Sequence, residues 1–217
     1  MKYTREEARR MVLNCAKQYE RKLLNKKMII IYREKADNSI RHIEVVFYER
    51  NYQHLTGLEL VDKNGNVLQG QSVNFYRKCI ENKLGAEEFR FKKDETTHLK
   101  LTALPVLMDV TKITKITGDY NNARPYLFVD KLIGGVNFCL GLSKEGETYV
   151  PSSALLENIK YLTNAPSQVL AILEKDRDSE IYNTVKHTAK GLNLNNIRLP
   201  DEINSKINLE NYVSKKK

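Results

Sequence analysis

Apolar residues recur every three or four positions near the start of the chain. Thr4 and Glu7 have the spacing of a capping box, the local signal that begins a helix. The apolar side chains that follow at the helical period are Ala8, Met11, Val12, Cys15, Ala16, Tyr19 and Leu23. This spacing predicts an amphipathic helix that ends near Asn25.

Shorter apolar runs after this helix predict strands. Residues 28–32 are typical of a buried strand, and residues 40–48 alternate between apolar and polar side chains. The polar stretch 35–39 between them predicts a hairpin. Later in the chain, residues 126–133 form an apolar run that Gly134 and Gly135 turn back into residues 136–142.

The remaining patterns complete the predicted order of elements. A third strand at 148–150 follows the central hairpin, and a last buried strand at 169–173 pairs with 181–187. Helices are predicted from Ser72, over 97–108 with a kink or break at Pro105, and from Pro151 to Leu162. A polar turn at 50–53 is predicted before His54.

Helical patterns come early and strand patterns later, without regular alternation of the two. That order predicts an α+β fold, in which N-terminal helices pack on a largely antiparallel sheet. We expect one domain over residues 1–190. Residues 191–217 lack periodicity and are predicted to form a polar C-terminal tail, partly ordered at most.

Charge adds a candidate class of partner. The chain has 217 residues and a formal net charge of +9, and its first 35 residues hold eleven Lys or Arg against four Glu. Such a balance favours anionic partners, which include nucleic acid and acidic lipid. No apolar run has the length of a membrane span, and the charged N-terminus lacks the apolar core of a signal peptide. We therefore expect a cytoplasmic protein.

Cysteine and histidine patterns predict no metal centre. Cys15, Cys79 and Cys139 are widely spaced, lie in apolar patterns and form no CxxC motif. They are interpreted as three buried thiols in a reducing compartment. The four histidines are far apart, and no P-loop, dinucleotide fingerprint or HExxH motif is present. The chemistry is expected to need neither a metal nor an organic cofactor.

A polar loop before the central hairpin carries the first candidate site residues. It holds the phenol of Tyr120, the amide of Asn121 and the guanidinium of Arg124, and a second unusual stretch upstream contains His54 and Thr56. Each residue also has a structural interpretation. Histidine and threonine are common in turns and caps, so His54 and Thr56 fit such roles. Tyr120 fits a packing role, and Arg124 has Asp119 and Asp130 as candidate ion-pair partners.

Several short stretches together resemble the barnase–EndoU–colicin E5/D–RelE-like group of phage-associated nuclease domains, the BECR fold. The resemblance spans about residues 8–190 and rests on the order and spacing of stretches at 54–57, 74–79, 99–105, 118–126 and 149–152. It implies a curved antiparallel sheet packed by N-terminal helices, RelE-like or barnase-like in kind. It also implies cleavage of RNA without a metal ion, in a toxin or a phage-conflict role.

The resemblance also implies a site. Its catalytic candidates are His54, Thr56, Tyr120 and Arg124. Its candidates for binding RNA are Asn121, from the same resemblance, and Lys100 and Lys131, because lysine fits the chemistry. Arg9, Arg10 and Arg21 are further candidates on charge alone, because the first helix is basic and lies outside the most telling part of the resemblance. We expect His54 and Arg124 to act on the same phosphate.

The implied function is a metal-independent endoribonuclease in which a 2′-hydroxyl attacks the adjacent phosphate. Its substrate would be RNA, with tRNA and ribosome-associated mRNA as alternatives, in the cytoplasm of a bacterial host. An antitoxin or a host defence protein would be a further partner. Two other classes stay open at this point: a nucleic-acid-binding protein that has lost its chemistry, and a phage-encoded inhibitor that binds a host defence protein.

Overall fold

The first helix begins where its capping signal predicts. The computed structural model describes residues 2–93, 96–210 and 212. The Thr4 side chain accepts a hydrogen bond from the Glu7 N–H, and the Glu7 carboxylate accepts one from the Thr4 N–H, at 3.2 and 2.8 Å. The helix continues through a π-helical turn, Glu20–Leu24, so the apolar stripe stays unbroken to Leu24.

The described residues form six α-helices and ten strands. The helices are α1 (Arg5–Tyr19), α2 (Glu49–Thr56), α3 (Ser72–Ile80), α4 (Thr96–Leu107), α5 (Val110–Ile113) and α6 (Asp201–Asn204). The strands are β1 (Lys26–Arg33), β2 (Ile40–Val46), β3 (Leu58–Leu60), β4 (Phe89–Phe91), β5 (Ile116–Asp119), β6 (Lys131–Gly134), β7 (Cys139–Glu145), β8 (Thr148–Leu155), β9 (Ser167–Asp176) and β10 (Thr184–Thr188).

Seven of these strands close into a barrel. Their order is β1-β2-β8-β7-β6-β5-β9, and β9 pairs back onto β1. The remaining strand of this sheet, β10, pairs with β9 next to β5. The pairings are antiparallel except between β2 and β8, which run parallel and share the single register pair Val45 and Tyr149. The prediction of an α+β fold with N-terminal helices on a curved, mainly antiparallel sheet is confirmed.

The middle of strand β1, residues 28–32, is apolar because both of its faces are buried there. Met28 and Ile30 point into the core that α1 to α4 form on one face of the sheet. Ile29 and Ile31 point to the opposite face, into a second apolar cluster. Side chains alternate between the two faces along a strand, so the part of a strand that is covered on both faces carries apolar side chains at every position.

The central hairpin forms between β6 and β7, but its predicted first strand was too long. Residues 126–130 lie in a loop, with Tyr126 72% and Phe128 96% exposed, because the pairing of β6 with β5 extends only to Lys131. β6 and β7 pair antiparallel, and the Gly135 N–H donates to the Phe138 carbonyl oxygen at 2.8 Å in the turn between them. A Cβ atom on Gly134 would lie only 2.2 Å from that oxygen. Glycine is therefore required at this position for the turn to close.

Two further local predictions were wrong. Residues 151–155 continue β8 rather than begin a helix, and Pro151 is tolerated because it lies opposite Leu142 where the ladder with β7 is irregular. Residues 50–53 belong to α2 rather than to a polar turn. This short helix is mostly polar because only Asn51, Tyr52 and its last residues face the core.

The segment after Gly191 was expected to be a polar tail, partly ordered at most, but its described part packs against the barrel. Leu194, Leu199 and Ile203 are each at most 5% exposed and lie in the second cluster with Ile29 and Ile31. Backbone hydrogen bonds to Tyr182 fix the segment further along. Few but well-spaced apolar residues cover this face, which is why the sequence looks polar. Where the domain ends stays a prediction.

We predict that this segment contributes to stability. Leu194→Ala should lower the free energy of unfolding by about 2–5 kcal/mol, since it removes a fully buried leucine side chain. Leu99→Ala is the matched control, because Leu99 is 66% exposed. Chemical denaturation of both variants measures the difference. A truncation after Lys190 that melts like the full chain would show that the contact contributes nothing.

The three thiols are buried, as predicted. Cys15, Cys79 and Cys139 are free and at most 3% exposed. Burial raises the pKa of Cys15 to about 11 and the pKa values of Cys79 and Cys139 to about 12, since the interior disfavours a thiolate.

Because the three cysteines are buried and their pKa values are raised, they should react slowly with thiol reagents. In the native protein at pH 8, a thiol reagent should label all three cysteines far more slowly than after unfolding, because the thiolate is the reacting species. Labelling in native buffer and in denaturant, followed by mass spectrometry, makes the comparison. Rapid native labelling of any of the three would contradict its burial.

Candidate functional site

The end of helix α2 positions His54 and is built by Thr56. The Thr56 hydroxyl donates to the Gln53 carbonyl oxygen at 2.7 Å and accepts from the Leu58 N–H at 3.1 Å. Gly57 then turns the chain with a φ of +72°, a conformation that favours glycine. Thr56 is fully buried. Through these two hydrogen bonds its hydroxyl ends the helix and fixes the turn next to His54.

His54 lies at the junction of two grooves. One groove runs between α2 and the β7–β8 hairpin, where Arg50 and His54 face Glu145 and Ser152. The other is lined by Gln53, His54, Lys92 and the segment Leu68–Ser72. Both linings include Ser72. The imidazole is therefore open to a ligand from either side.

Two lysines and partial burial act on the imidazole. Loss of surrounding water is the largest effect that lowers the pKa of His54, and the charges of Lys100 and then Lys92 lower it further. The Lys100 ammonium also donates to the His54 carbonyl oxygen at 2.9 Å, which anchors the end of the helix. A neutral imidazole in positive surroundings can accept a proton near an anionic ligand.

Arg50 is a groove residue that sequence reasoning missed. It lies one helical turn before His54, so both side chains are on the same face of α2. Its guanidinium pairs with Glu145 across the groove and lies 4.2 Å from the centre of the Tyr48 ring. The i,i+4 spacing of Arg50 and His54 would have pointed to this pair had residues 49–56 been read as a helix.

Tyr120 and Asn121 hold the loop between β5 and β6 in shape. The Tyr120 hydroxyl donates to the Ala123 carbonyl oxygen at 2.7 Å and accepts from the Leu127 N–H at 3.0 Å. The Asn121 amide oxygen accepts from the Ala123 N–H at 2.9 Å, and its amide nitrogen donates to the Tyr161 carbonyl oxygen at 3.1 Å. The hydrogen bonds of both side chains therefore stabilise the conformation of this loop.

Arg124 and Lys131 differ sharply in exposure. Arg124 is exposed, with its guanidinium carbon 5.8 Å from the centre of the Tyr126 ring. No described contact pairs it with Asp119 or Asp130, the partners that its structural interpretation suggested. Lys131 is only 8% exposed and pairs with Asp119.

The structure does not place Arg124 in the groove with His54. No described residue of the loop at 120–130 lines either groove. The loop does reach the groove edge, because the Phe128 carbonyl oxygen accepts a hydrogen bond from Ser143, a lining residue, at 3.2 Å. Joint action of Arg124 and His54 on one phosphate stays a hypothesis.

The basic residues of the first helix lie outside these grooves. The Arg9 side chain donates to the Leu84 carbonyl oxygen at 2.6 Å and thereby joins α1 to the segment that follows α3. Arg10 lines a separate shallow groove with Tyr3 and Pro105. Arg21 is exposed on the π-helical turn. Their proposed contact with RNA is therefore a matter of surface charge alone.

The described residues contain neither a candidate metal cluster nor a candidate membrane-spanning helix. No three His, Cys, Asp or Glu side chains within 2–93, 96–210 and 212 are grouped as ligands for a metal ion. In the same residues, no helix combines the length and apolar character needed to cross a membrane.

Comparison with known families assigns the chain. A family model described as phage-Barnase-EndoU-ColicinE5/D-RelE like nuclease 4 matches residues 11–191. The chain belongs to this nuclease family. The resemblance found in the sequence is thereby confirmed. Searches of curated proteins and of solved structures gave no significant match.

The match to this BECR-type nuclease family spans the whole barrel. It begins within α1, includes both grooves at His54, and ends at Gly191 just after β10. The segment that covers the second apolar cluster follows the matched region. The candidate site therefore lies inside the nuclease domain.

We predict that His54 titrates below its ordinary pKa of 6.5. Lys100→Gln and Lys92→Gln should each raise its pKa, since removing a nearby positive charge favours the imidazolium. Lys190→Gln, at an exposed position after β10, should leave it unchanged. NMR titration of the imidazole protons measures all four proteins. A wild-type pKa above 6.5 would contradict the proposed environment.

Proposed function

We propose that this protein is an endoribonuclease that cleaves RNA without a metal ion. The observation that carries the proposal is an exposed imidazole at the junction of two polar grooves in a nuclease domain. Family membership supports a nucleic-acid substrate. The choice of RNA rests on the site residues, because a 2′-hydroxyl supplies the nucleophile and leaves only proton transfer and charge stabilisation to the protein.

His54 is the proposed base. Its neutral imidazole accepts the proton of the 2′-hydroxyl while the 2′ oxygen forms a bond to phosphorus. The bond from phosphorus to the leaving 5′ oxygen breaks, and that oxygen takes up a proton returned by the imidazolium. The products are a 2′,3′-cyclic phosphate and a 5′-hydroxyl. The lowered pKa of His54 keeps the base form available at neutral pH.

Arg50 is the proposed stabiliser of the phosphorane charge. Sequence reasoning gave this role to Arg124, but Arg50 shares a helix face and a groove with His54. A guanidinium can donate two parallel hydrogen bonds to phosphate oxygens. Its pairing with Glu145 would hold the guanidinium in place before substrate arrives.

The other candidates take supporting roles in the proposal. Thr56 and Lys100 hold the end of α2 that carries His54. Tyr120 and Asn121 shape the loop beside the groove, and Arg124 in that loop would contact the RNA outside it. Lys131 is buried and pairs with Asp119, so it would stabilise the fold rather than contact the RNA.

The biological setting is part of the same proposal. The resemblance to phage-associated nuclease domains supports a toxin or phage-conflict role in the cytoplasm of a bacterial host. An antitoxin or a host defence protein would then be a natural partner. The RNA cleaved would include tRNA or ribosome-associated mRNA.

We predict that purified protein cleaves total RNA in EDTA. His54→Ala should lower kcat by about a hundredfold or more, in line with loss of a general base. Arg50→Ala should cost a similar factor, and Arg124→Ala a smaller one. His187→Ala is the matched control, since His187 lies on β10 and lines neither groove. Melting curves on the same preparations separate lost chemistry from lost folding.

The substrate itself offers a second control. An oligonucleotide with a single 2′-deoxy nucleotide at the cleaved position should resist cleavage there. Cleavage of that bond would rule out attack by the 2′-hydroxyl, and cleavage only with added magnesium would rule out the metal-free reaction. RNA left intact under all conditions would favour a non-catalytic binding protein. Full activity of a folded His54→Ala protein would end the site assignment.

A further inference from the structure

Two guanidinium groups gather around one tyrosine ring beside the groove. The guanidinium carbon of Arg50 lies 4.2 Å from the centre of the Tyr48 ring, and that of Arg177 lies 4.6 Å from it. Distances of this size between a guanidinium group and the centre of an aromatic ring are typical of cation–π contacts. We call Arg50, Tyr48 and Arg177 the arginine stack.

Three separate parts of the chain hold the stack in place. Tyr48 connects β2 to α2, and its carbonyl oxygen accepts a hydrogen bond from the Tyr19 hydroxyl of α1 at 2.9 Å. Arg177 directly follows β9, and its backbone N–H donates to the Asn25 carbonyl oxygen at 3.1 Å, next to the start of β1. The fold itself therefore brings Arg50 and Arg177 together.

The Arg177 guanidinium of the stack forms no ion pair among the described residues. Glu145 pairs with Arg50. Of the two aspartates that flank Arg177, Asp176 pairs with Lys26, and no described ion pair joins Asp178 to the Arg177 guanidinium. Within the part of the chain that the structure describes, Arg177 contacts no acid and its side chain is exposed. Two like charges on one ring repel each other, and a bound anion would relieve that repulsion.

The position of the stack relative to His54 suggests which anion. Arg50 belongs both to the stack and to the groove, and it shares its helix face with His54. An RNA strand with its reacting phosphate at His54 would carry neighbouring phosphates along that face of α2. Arginine is suited to phosphate because its planar fork matches the phosphate oxygens.

We propose that the arginine stack is a second phosphate-binding subsite, which holds the RNA backbone next to the reacting phosphate. The inference rests on the proposed function, since it takes RNA as the substrate of the His54 groove. Contacts to phosphate position a strand without reading its sequence. The subsite therefore contributes affinity for any RNA that extends beyond the cleaved bond.

Arg177 is the residue to test, because it lies outside the groove. The probe is a noncleavable oligonucleotide of about twelve residues with 2′-O-methyl groups, and fluorescence anisotropy measures its affinity over a range of salt concentrations. Arg177→Gln should weaken binding several-fold and reduce the slope of log affinity against log salt by about 0.7, the value for one phosphate contact on a single strand.

A matched control has the same loss of charge elsewhere. Arg198→Gln removes an exposed arginine from the segment that covers the opposite face of the sheet. It should leave affinity and salt slope close to wild type. Tyr48→Leu should resemble Arg177→Gln, whereas Tyr48→Phe keeps the ring and should bind normally. Unchanged affinity and slope in a folded Arg177→Gln protein would overturn the subsite.

Kinetics give an independent readout on cleavable RNA. Arg177→Gln should raise KM and change kcat by less than about twofold, because contact to a neighbouring phosphate is the same in ground and transition states. The rise in KM should disappear with a dinucleotide substrate, which has no further phosphate to bind. An equal KM effect on both substrates would assign Arg177 a merely structural role.

The two proposals can fail separately. Wild-type protein that binds the noncleavable RNA through Arg177 but cleaves nothing would refute the nuclease proposal and support the subsite. Cleavage that is insensitive to Arg177→Gln at every substrate length would refute the subsite alone. Absence of binding to this RNA in the wild-type protein would refute both.

Discussion

Strand β1 ties the whole structure together because it is buried on both faces and paired on both edges. One face contributes to the core under α1 to α4, the other to the cluster that the C-terminal segment covers. Its edges pair with β2 and β9, and the β9 pairing closes the barrel. Since β2 leads directly into Tyr48 and α2, the position of the candidate site depends on how firmly β1 is held.

Local signals sufficed wherever neighbouring residues decide the structure. The capping box, the helical stripe to Leu23 and the glycine-dependent turn at Gly134 are settled within a few residues, and each was predictable. Strand β8 was not, because Pro151 and two serines favour a helix start in isolation. Its pairing with β7, which the sequence does not reveal, holds these residues extended.

The candidate site was predictable only in part, for the same reason. His54 stood out by residue type, but its neighbours in space come from α2, β7, β8 and α4, and their meeting is a property of the barrel. Arg50 was hidden by the polar character of a short helix. Arg177 is far from Tyr48 in sequence, so nothing local could have joined them. Conversely, Thr56 and Tyr120 were candidate catalytic residues from the sequence, but their hydroxyl groups form hydrogen bonds that stabilise the backbone around them.

The single parallel join between β2 and β8 has a consequence for access to the groove. Among the described strand pairings of the barrel, it is the shortest, with one register pair at Val45 and Tyr149. Sheets open locally where the fewest hydrogen bonds must break. The groove at His54 lies between α2, which follows β2, and β8, so it is directly beside this join. Brief separation of these two strands would widen the groove for a bulky polymer while the rest of the barrel, closed through β1 and β9, stays intact.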